Sequence, residues 1–202
     1  MGPAHGEERT WSRASVAALA LVQVWVLTAA VARLGVSTVE QAVFTAVQGL
    51  PAALVVPFEL VMPFGTLVGG LLVALLVGLA LRSVAYRLTF AVPMAWLAAT
   101  ATKAAVSRGR PADVLELATD AAAGASGPGY PSGHTAVAVA MATALWPDLG
   151  GAGRVVVTIL AAMVAVGRVV LGVHLPLDLA GGAAIGALAG LGARAVVRRA
   201  RA

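Results

Sequence analysis

The sequence predicts an all-α membrane protein, one bundle of six transmembrane helices, and three observations carry that expectation. Hydrophobic residues make up 60% of the chain against 11% charged, with a mean hydropathy of +0.92, which is the composition of a membrane protein. Six windows are apolar enough to span, at 15 to 34, 58 to 81, 86 to 106, 133 to 147, 154 to 173 and 177 to 196. Runs of this length in lipid must satisfy their backbone polar groups internally, which selects helices over open sheet.

Taken in order, the first window follows Arg9 and Arg13 and ends near the small-residue run Ala30 to Ala32. That pattern also fits a cleaved leader, but the run is long for a signal core and five further spans follow it, so a span is expected. Val39 to Leu50 (VEQAVFTAVQGL) is either a short helix in the outer interface or an ordinary connection. Crossing the hydrocarbon takes about 20 residues at 1.5 Å each, which most windows supply. The fourth, of about 15 residues, is short. The longest polar interval, Ser107 to Tyr130, separates the third and fourth spans as a long extracytoplasmic loop. An interval of this length in a compact bundle is functional or disordered. Residues 1–202 are expected to form a single membrane domain, with no internal repeat.

The net charge of +5 and pI of 11.0 raise a nucleic-acid partner. The soluble segments hold too few cations for such a surface, and the charges sort by membrane side. With a cytoplasmic N-terminus, the inner segments carry Arg9, Arg13, Arg82, Arg87, Arg154, Arg194, Arg198, Arg199 and Arg201, as the positive-inside rule favours. Arg33, Lys103, Arg108, Arg110 and Arg168 fall on or near the outer face. All but Arg33 lie close to other unusual polar residues. With no cysteine, disulfides and thiolate chemistry are excluded.

Three polar clusters bracket the later spans. The first is KAAVSRGRP, Lys103 to Pro111. If the helix persists, two turns bring Lys103 and Arg110 to one face; alone, Lys103 is equally a lysine snorkelling to the headgroups, and Arg110 a solvated loop charge. The second is GYPSGH, Gly129 to His134, opening the fourth span. Pro131 suits a helix start, Ser132 is a capping residue, and Gly133 lets a ligand approach the backbone. Free N–H groups at such a terminus favour an anion. His134 beside it is either a proton donor to a leaving group or a structural hydrogen bonder. The third is GRVVLGVHLPLD, in which Arg168 precedes His174 and Asp178 follows it by one helical turn. Alternating span directions bring all three clusters to one end of the bundle, where ionisable residues in a membrane point to function.

Lys103-x6-Arg110-Pro111, Pro131-Ser132-Gly133-His134 and Arg168-x5-His174-x3-Asp178 together resemble the three-part signature of the type 2 phosphatidic acid phosphatase family. The match covers residues 103 to 178, in order and with each spacing intact. It departs from the pattern at Gly167, where the family commonly has serine. The resemblance implies a phosphohistidine mechanism. His174 would be the nucleophile, Asp178 its orienting carboxylate, and His134 the acid and then the base. Lys103, Arg110, Arg168, Ser132 and the Gly133 N–H would hold the phosphoryl oxygens. Three cations supply what a phosphoryl-transfer transition state needs without a metal; neither a metal site nor a cofactor is expected. Arg108 and Tyr130 are read as contacts at the headgroup or substrate edge, against a solvated charge and an interfacial anchor.

The implied substrate is a lipid phosphate at the outer headgroup level of a bacterial plasma membrane. A polyprenyl diphosphate such as undecaprenyl diphosphate is favoured over phosphatidylglycerophosphate, phosphatidic acid or a polyprenyl phosphosugar. Membrane lipids are the expected surroundings, with no nucleic acid, and the oligomeric state is open. The rival classes are a transporter, which more often keeps such residues at the midplane on broken helices, and a non-catalytic lipid binder. Soluble haloperoxidases share the signature, but six apolar spans argue against them.

Overall fold

The computed structural model describes residues 12–115 and 126–200, and among these no strand occurs. Arg9 and Arg201 of the inner charge set, and the middle of the long polar interval, lie outside the described residues. The helices begin where short polar side chains can cap them. Ser12 accepts the Ser15 N–H to start α1 (Arg13–Arg33), and Ser37 accepts the Glu40 N–H to start α2 (Thr38–Gln48), each satisfying an otherwise orphaned donor. The Val39 to Leu50 stretch is therefore helical, but its Glu40 and Phe44 turn inward and are buried. Phe44 packs on Val169 and Leu175, so α2 lies against the ends of two later helices.

The window at 58 to 81 departs from the single span expected. α3 (Val56–Val61) runs into a 3-10 turn at Met62–Gly65, then meets α4 (Leu67–Gly78) at a bend of 74°. Pro63 sits in that turn and Thr66 is extended, its hydroxyl accepting the Gly69 N–H to start a fresh helix. The remaining helices are α5 (Arg82–Val106), the single turn α6 (Pro111–Val114), α7 (Gly133–Leu145), α8 (Gly151–Val170) and α9 (Pro176–Arg199). Four of them, α1, α5, α8 and α9, are each long and apolar enough to cross a membrane, and the bent α3 and α4 pair makes a fifth if counted as one span. α7 has 13 residues and falls below that length, in line with the short fourth window.

α7 packs between α5, α8 and α9, with α1 on α9 and α4 on α5. Its seams are built from small residues at helical spacing. Leu88, Ala91, Val92, Ala95 and Ala99 of α5 meet Ala136, Val137, Ala140 and Ala144 of α7 and Ile185, Ala189 and Ala193 of α9, one stripe per helix. In lipid there is no hydrophobic drive between helices, so close backbone approach has to supply the attraction. Gly182, Gly186 and Gly190 provide it on α9: a Cβ at these positions would come within 2.5 Å of Ser132 O, 2.3 Å of Ala136 O and 2.5 Å of Thr143 Cβ. The outward faces of α4 and α8 carry exposed Leu72, Leu75, Leu76, Val155, Val156 and Ile159, as lipid-facing surfaces do. At the end away from the three polar clusters, Arg87 of α5 pairs with Asp148 in the α7 to α8 connection.

This seam sets an expectation for substitution. Gly186→Val should lower the thermal midpoint of the detergent-solubilised protein, since overpacking costs about 1–3 kcal/mol, whereas Gly192→Ala, whose added methyl would meet only Met94 at 3.8 Å, should hold or raise it, since alanine favours a helix interior over glycine. Equal midpoints for the two variants would contradict the packing described.

Candidate active site

At the end of the bundle where α5, α7 and α8 converge, a cavity of about 250 Å³ is lined by Lys103, Arg110, Gly133, His134, Arg168 and His174, with Thr66, Trp96 and Thr100 among its remaining walls. Six of the eight site residues expected from the sequence thus face one space. Asp178 lies behind His174, wholly buried. Ser132 is also wholly buried, its hydroxyl accepting the Thr135 N–H at the start of α7 and its own N–H donating to Asp178 O at 2.9 Å.

Each side chain reaches the cavity for a local reason. Lys103 stands in the last turn of α5, and its ammonium donates to the carbonyls of Pro128 and Gly129 at 2.5 and 3.0 Å. The helix does not carry on to Arg110 as expected. It ends at Val106, with Ser107 in the left-handed region at φ 52°. Arg110 arrives instead as the residue before Pro111, its N–H held by Asp113 and its guanidinium donating to Ser126 O, Gly127 O and Val173 O. Arg168 stands in the last turn of α8, and its guanidinium donates to the Met62 sulfur at 3.9 Å; its Nε is buried without a partner among the described residues. Among the described residues, then, none of the three cations is paired with a carboxylate. Their partners are neutral, and the cavity between them keeps its positive charge.

Gly133 faces open space, so its position leaves the first turn of α7 accessible. His134 follows directly and is seated by the bend before α4: a Cβ on Gly65 would come within 2.8 Å of both His134 Cβ and Val164 Cγ1. Glycine at position 65 thus leaves the space that His134 fills. Gly167, the departure from the family pattern, faces Met62 and Phe58: a Cβ there would come within 2.6 Å of Met62 Cε, the flexible end of that side chain, and 3.1 Å of Phe58 Cβ.

His174 sits in the turn between α8 and α9, after Gly172 at φ 70°. Its backbone N–H donates to Arg168 O. Pro176 starts α9, which places Asp178 at the third helical position, where its Oδ2 accepts the Leu175 N–H at 2.9 Å and faces His174 Nδ1 at 3.1 Å. One carboxylate therefore caps the helix and fixes the imidazole, whose Nδ1–H donates to it, leaving Nε2 as the free ring nitrogen. Burial lowers the His174 pKa to about 4, outweighing the raising effect of Asp178, with Lys103 and Arg168 lowering it further. The ring is neutral at ordinary pH, with its lone pair available.

Two residues differ from expectation. Arg108 is neither solvated nor at a substrate edge. It is buried and donates to Asp178 Oδ1 at 3.1 Å, to both oxygens of Glu40 at 3.0 and 2.5 Å, and to Gly35 O at 3.0 Å. Tyr130 is wholly buried rather than interfacial, its hydroxyl meeting Thr28 Oγ1 at 2.7 Å and Trp25 O at 3.1 Å. Glu40 was not singled out from the sequence. An acidic residue inside an otherwise apolar amphipathic stretch is the one signal it offers, and nothing local names its partner.

A family model described as the PAP2 superfamily matches residues 71–202. Among solved structures, Aquifex aeolicus LpxE aligns with a TM-score of 0.71 at 22% identity, covering 79% of this chain and 96% of that one. A transmembrane PAP2-type phosphatidylglycerolphosphate phosphatase from Bacillus subtilis aligns with a TM-score of 0.70 at 19% identity, covering 90% and 96%. No curated protein matches the sequence significantly.

The unpaired cations make the cavity an anion site, which binding of inorganic phosphate or vanadate should reveal. Either anion should raise the thermal midpoint in a concentration-dependent manner, in EDTA as without it, and Arg168→Met should abolish the rise. A midpoint indifferent to both anions in the unsubstituted protein would show that the cavity holds no such site.

Proposed function

The chain belongs to the PAP2 superfamily, whose phosphatases hydrolyse phosphate esters, and from that premise we propose that it removes a terminal phosphate from a lipid phosphate at this cavity. The observation that carries the proposal is the set of three cations without carboxylate partners among the described residues, disposed around two histidines, one of them backed by a carboxylate. That arrangement has charge for a phosphoryl group, a neutral nucleophile and a second imidazole.

In the proposed reaction, His174 Nε2 attacks phosphorus while the bond to the leaving oxygen breaks. His134 delivers its proton to that oxygen, and the product is an alcohol or, from a diphosphate, a monophosphate. The phosphohistidine ring is positively charged, and the Asp178 carboxylate stabilises it through Nδ1–H, as a carboxylate does for other catalytic imidazoles. His134, now neutral, takes a proton from water, the resulting hydroxide attacks phosphorus, the P–N bond breaks, and inorganic phosphate leaves. Lys103, Arg110, Arg168 and the Gly133 N–H hold the phosphoryl oxygens through both steps. Ser132, which the family resemblance implies as a direct phosphate ligand, is wholly buried with its hydroxyl on the Thr135 N–H, and its proposed part is to fix the helix end that presents Gly133 and His134.

Six crossings, with the bent α3 and α4 pair as one and the short α7 as another, put both termini on the same side. The arginines near α1, α5 and α9 support a cytoplasmic position for that side, and with it a cavity at the outer leaflet of a bacterial plasma membrane. On this reading residues 1–202 are one membrane domain, and a polyprenyl diphosphate released on the outer leaflet is the favoured substrate. Phosphatidylglycerophosphate is the second reading, favoured by the fold likeness to the Bacillus subtilis enzyme.

Purified protein in detergent with EDTA, offered undecaprenyl diphosphate, phosphatidylglycerophosphate and phosphatidic acid side by side, should release phosphate, fastest from the diphosphate. His174→Ala should lower the rate by at least roughly 1,000-fold. No release from any of the three, or equal release by the variant, would overturn the assignment.

A further inference from the structure

We infer that Glu40 and Arg108 are positioning residues for the phosphoryl-transfer site, acting on His174 through Asp178. The inference rests on the reading of His174 as nucleophile. It adds an element that the family match does not contain, since Glu40 lies outside the matched residues 71–202.

The geometry is a chain of buried ionic contacts. Asp178 has two carboxylate oxygens with different duties. Oδ2 faces His174 and caps α9, while Oδ1 accepts Arg108 Nη1 at 3.1 Å. Arg108 is in turn held by both oxygens of Glu40, and Glu40 Oε1 also accepts the Leu177 N–H at 2.9 Å, in the first turn of α9. Arg108 Nη2 also donates to Gly35 O, presented from a glycine at φ 110°, a conformation that L side chains rarely adopt, while Arg108 Nε is buried without a partner among the described residues. All three side chains are nearly inaccessible, at 8% exposure or less. A group with so little solvent around it must have its charge balanced by its neighbours.

Counting charge shows what Glu40 does. Glu40, Arg108 and Asp178 sum to one negative charge on the Nδ1 side of His174, opposite the cations of the cavity. That charge is what a positively charged phosphohistidine ring requires. Without Glu40 the sum is zero, and Arg108 is free to draw both Asp178 oxygens toward itself and away from the ring. Without Arg108 the sum is two negative charges, with two buried carboxylates left side by side, a costly arrangement that one proton relieves. α2 also holds the site from outside the motif region by burying Phe44 and by Gln48 donating to Val169 O and Val170 O.

The test measures kcat and KM on the lipid phosphate turned over fastest, for the unsubstituted protein, His174→Ala, Glu40→Gln, Arg108→Gln and the double variant Glu40→Gln/Arg108→Gln. Glu40→Gln keeps the shape and should lower kcat about 10- to 100-fold, by analogy with the partners that orient metal-bound histidines, with KM changed by less than about threefold. Arg108→Gln should lose more. The double variant returns the sum to one negative charge and should be at least about tenfold faster than Arg108→Gln alone. A merely structural role predicts the opposite order, the double variant being slowest. If Glu40→Gln does not fold, Glu40→Asp, which keeps the charge with a shorter reach, should fold with kcat between the unsubstituted protein and Arg108→Gln. Unchanged kcat in Glu40→Gln, or a double variant no faster than Arg108→Gln, overturns the inference while leaving the phosphatase reading intact. Full activity in His174→Ala, or none in the unsubstituted protein, defeats the phosphatase reading and the inference with it.

Discussion

The rest of the site depends on one buried carboxylate. Asp178 has no exposed surface, yet it accepts from the Leu175 N–H and the His174 imidazole in its own turn and from the guanidinium of Arg108, 70 positions away. A carboxylate in such a place is tolerated only when its hydrogen bonds are complete. Meeting that requirement fixes the start of α9, the ring plane of His174 and the path of the chain after α5. The Ser132 N–H, bonded to the Asp178 carbonyl, ties the start of α7 to the same residue.

The two sides of His174 are opposite electrostatically. On one side, the carboxylates of Glu40 and Asp178 share the one guanidinium of Arg108 and leave one negative charge. On the other, Lys103, Arg110 and Arg168 rest on carbonyl oxygens and a sulfur, which orient a cation without cancelling it. The first side keeps an imidazole in place and the second attracts an anion, so on the proposed mechanism the phosphoryl group and the developing ring charge are stabilised from opposite directions. A low-dielectric bundle strengthens both effects.

How much of this was legible in the sequence follows the range of each interaction. The pair His174 and Asp178 is local, one helical turn apart across a Pro-initiated helix, and its spacing was readable. Lys103 and Arg110 were read as neighbours through helical periodicity. They do share the cavity, although α5 stops at Val106 and the turn into α6 brings them together. The small-residue seams of α5, α7 and α9 were visible only as apolar windows. The break at Thr66 was hidden in a window that is apolar throughout, since hydropathy does not register a bend. Glu40 was out of reach, because its partners Arg108 and Leu177 lie 68 and 137 positions away and no local pattern encodes them.

The central claim, that His174 carries the phosphoryl group, is tested most directly by trapping the intermediate. A monophosphate leaving group needs less help from an acid than an alkoxide does, so His134→Ala should still form phosphoenzyme from labelled lipid diphosphate and, deprived of the residue proposed to activate water, accumulate it for quenching in base. Mass spectrometry of its peptides should place the phosphoryl group on His174, in a linkage stable to base and lost in acid. Label on Ser132, or an acid-stable linkage at any other residue, would contradict the account.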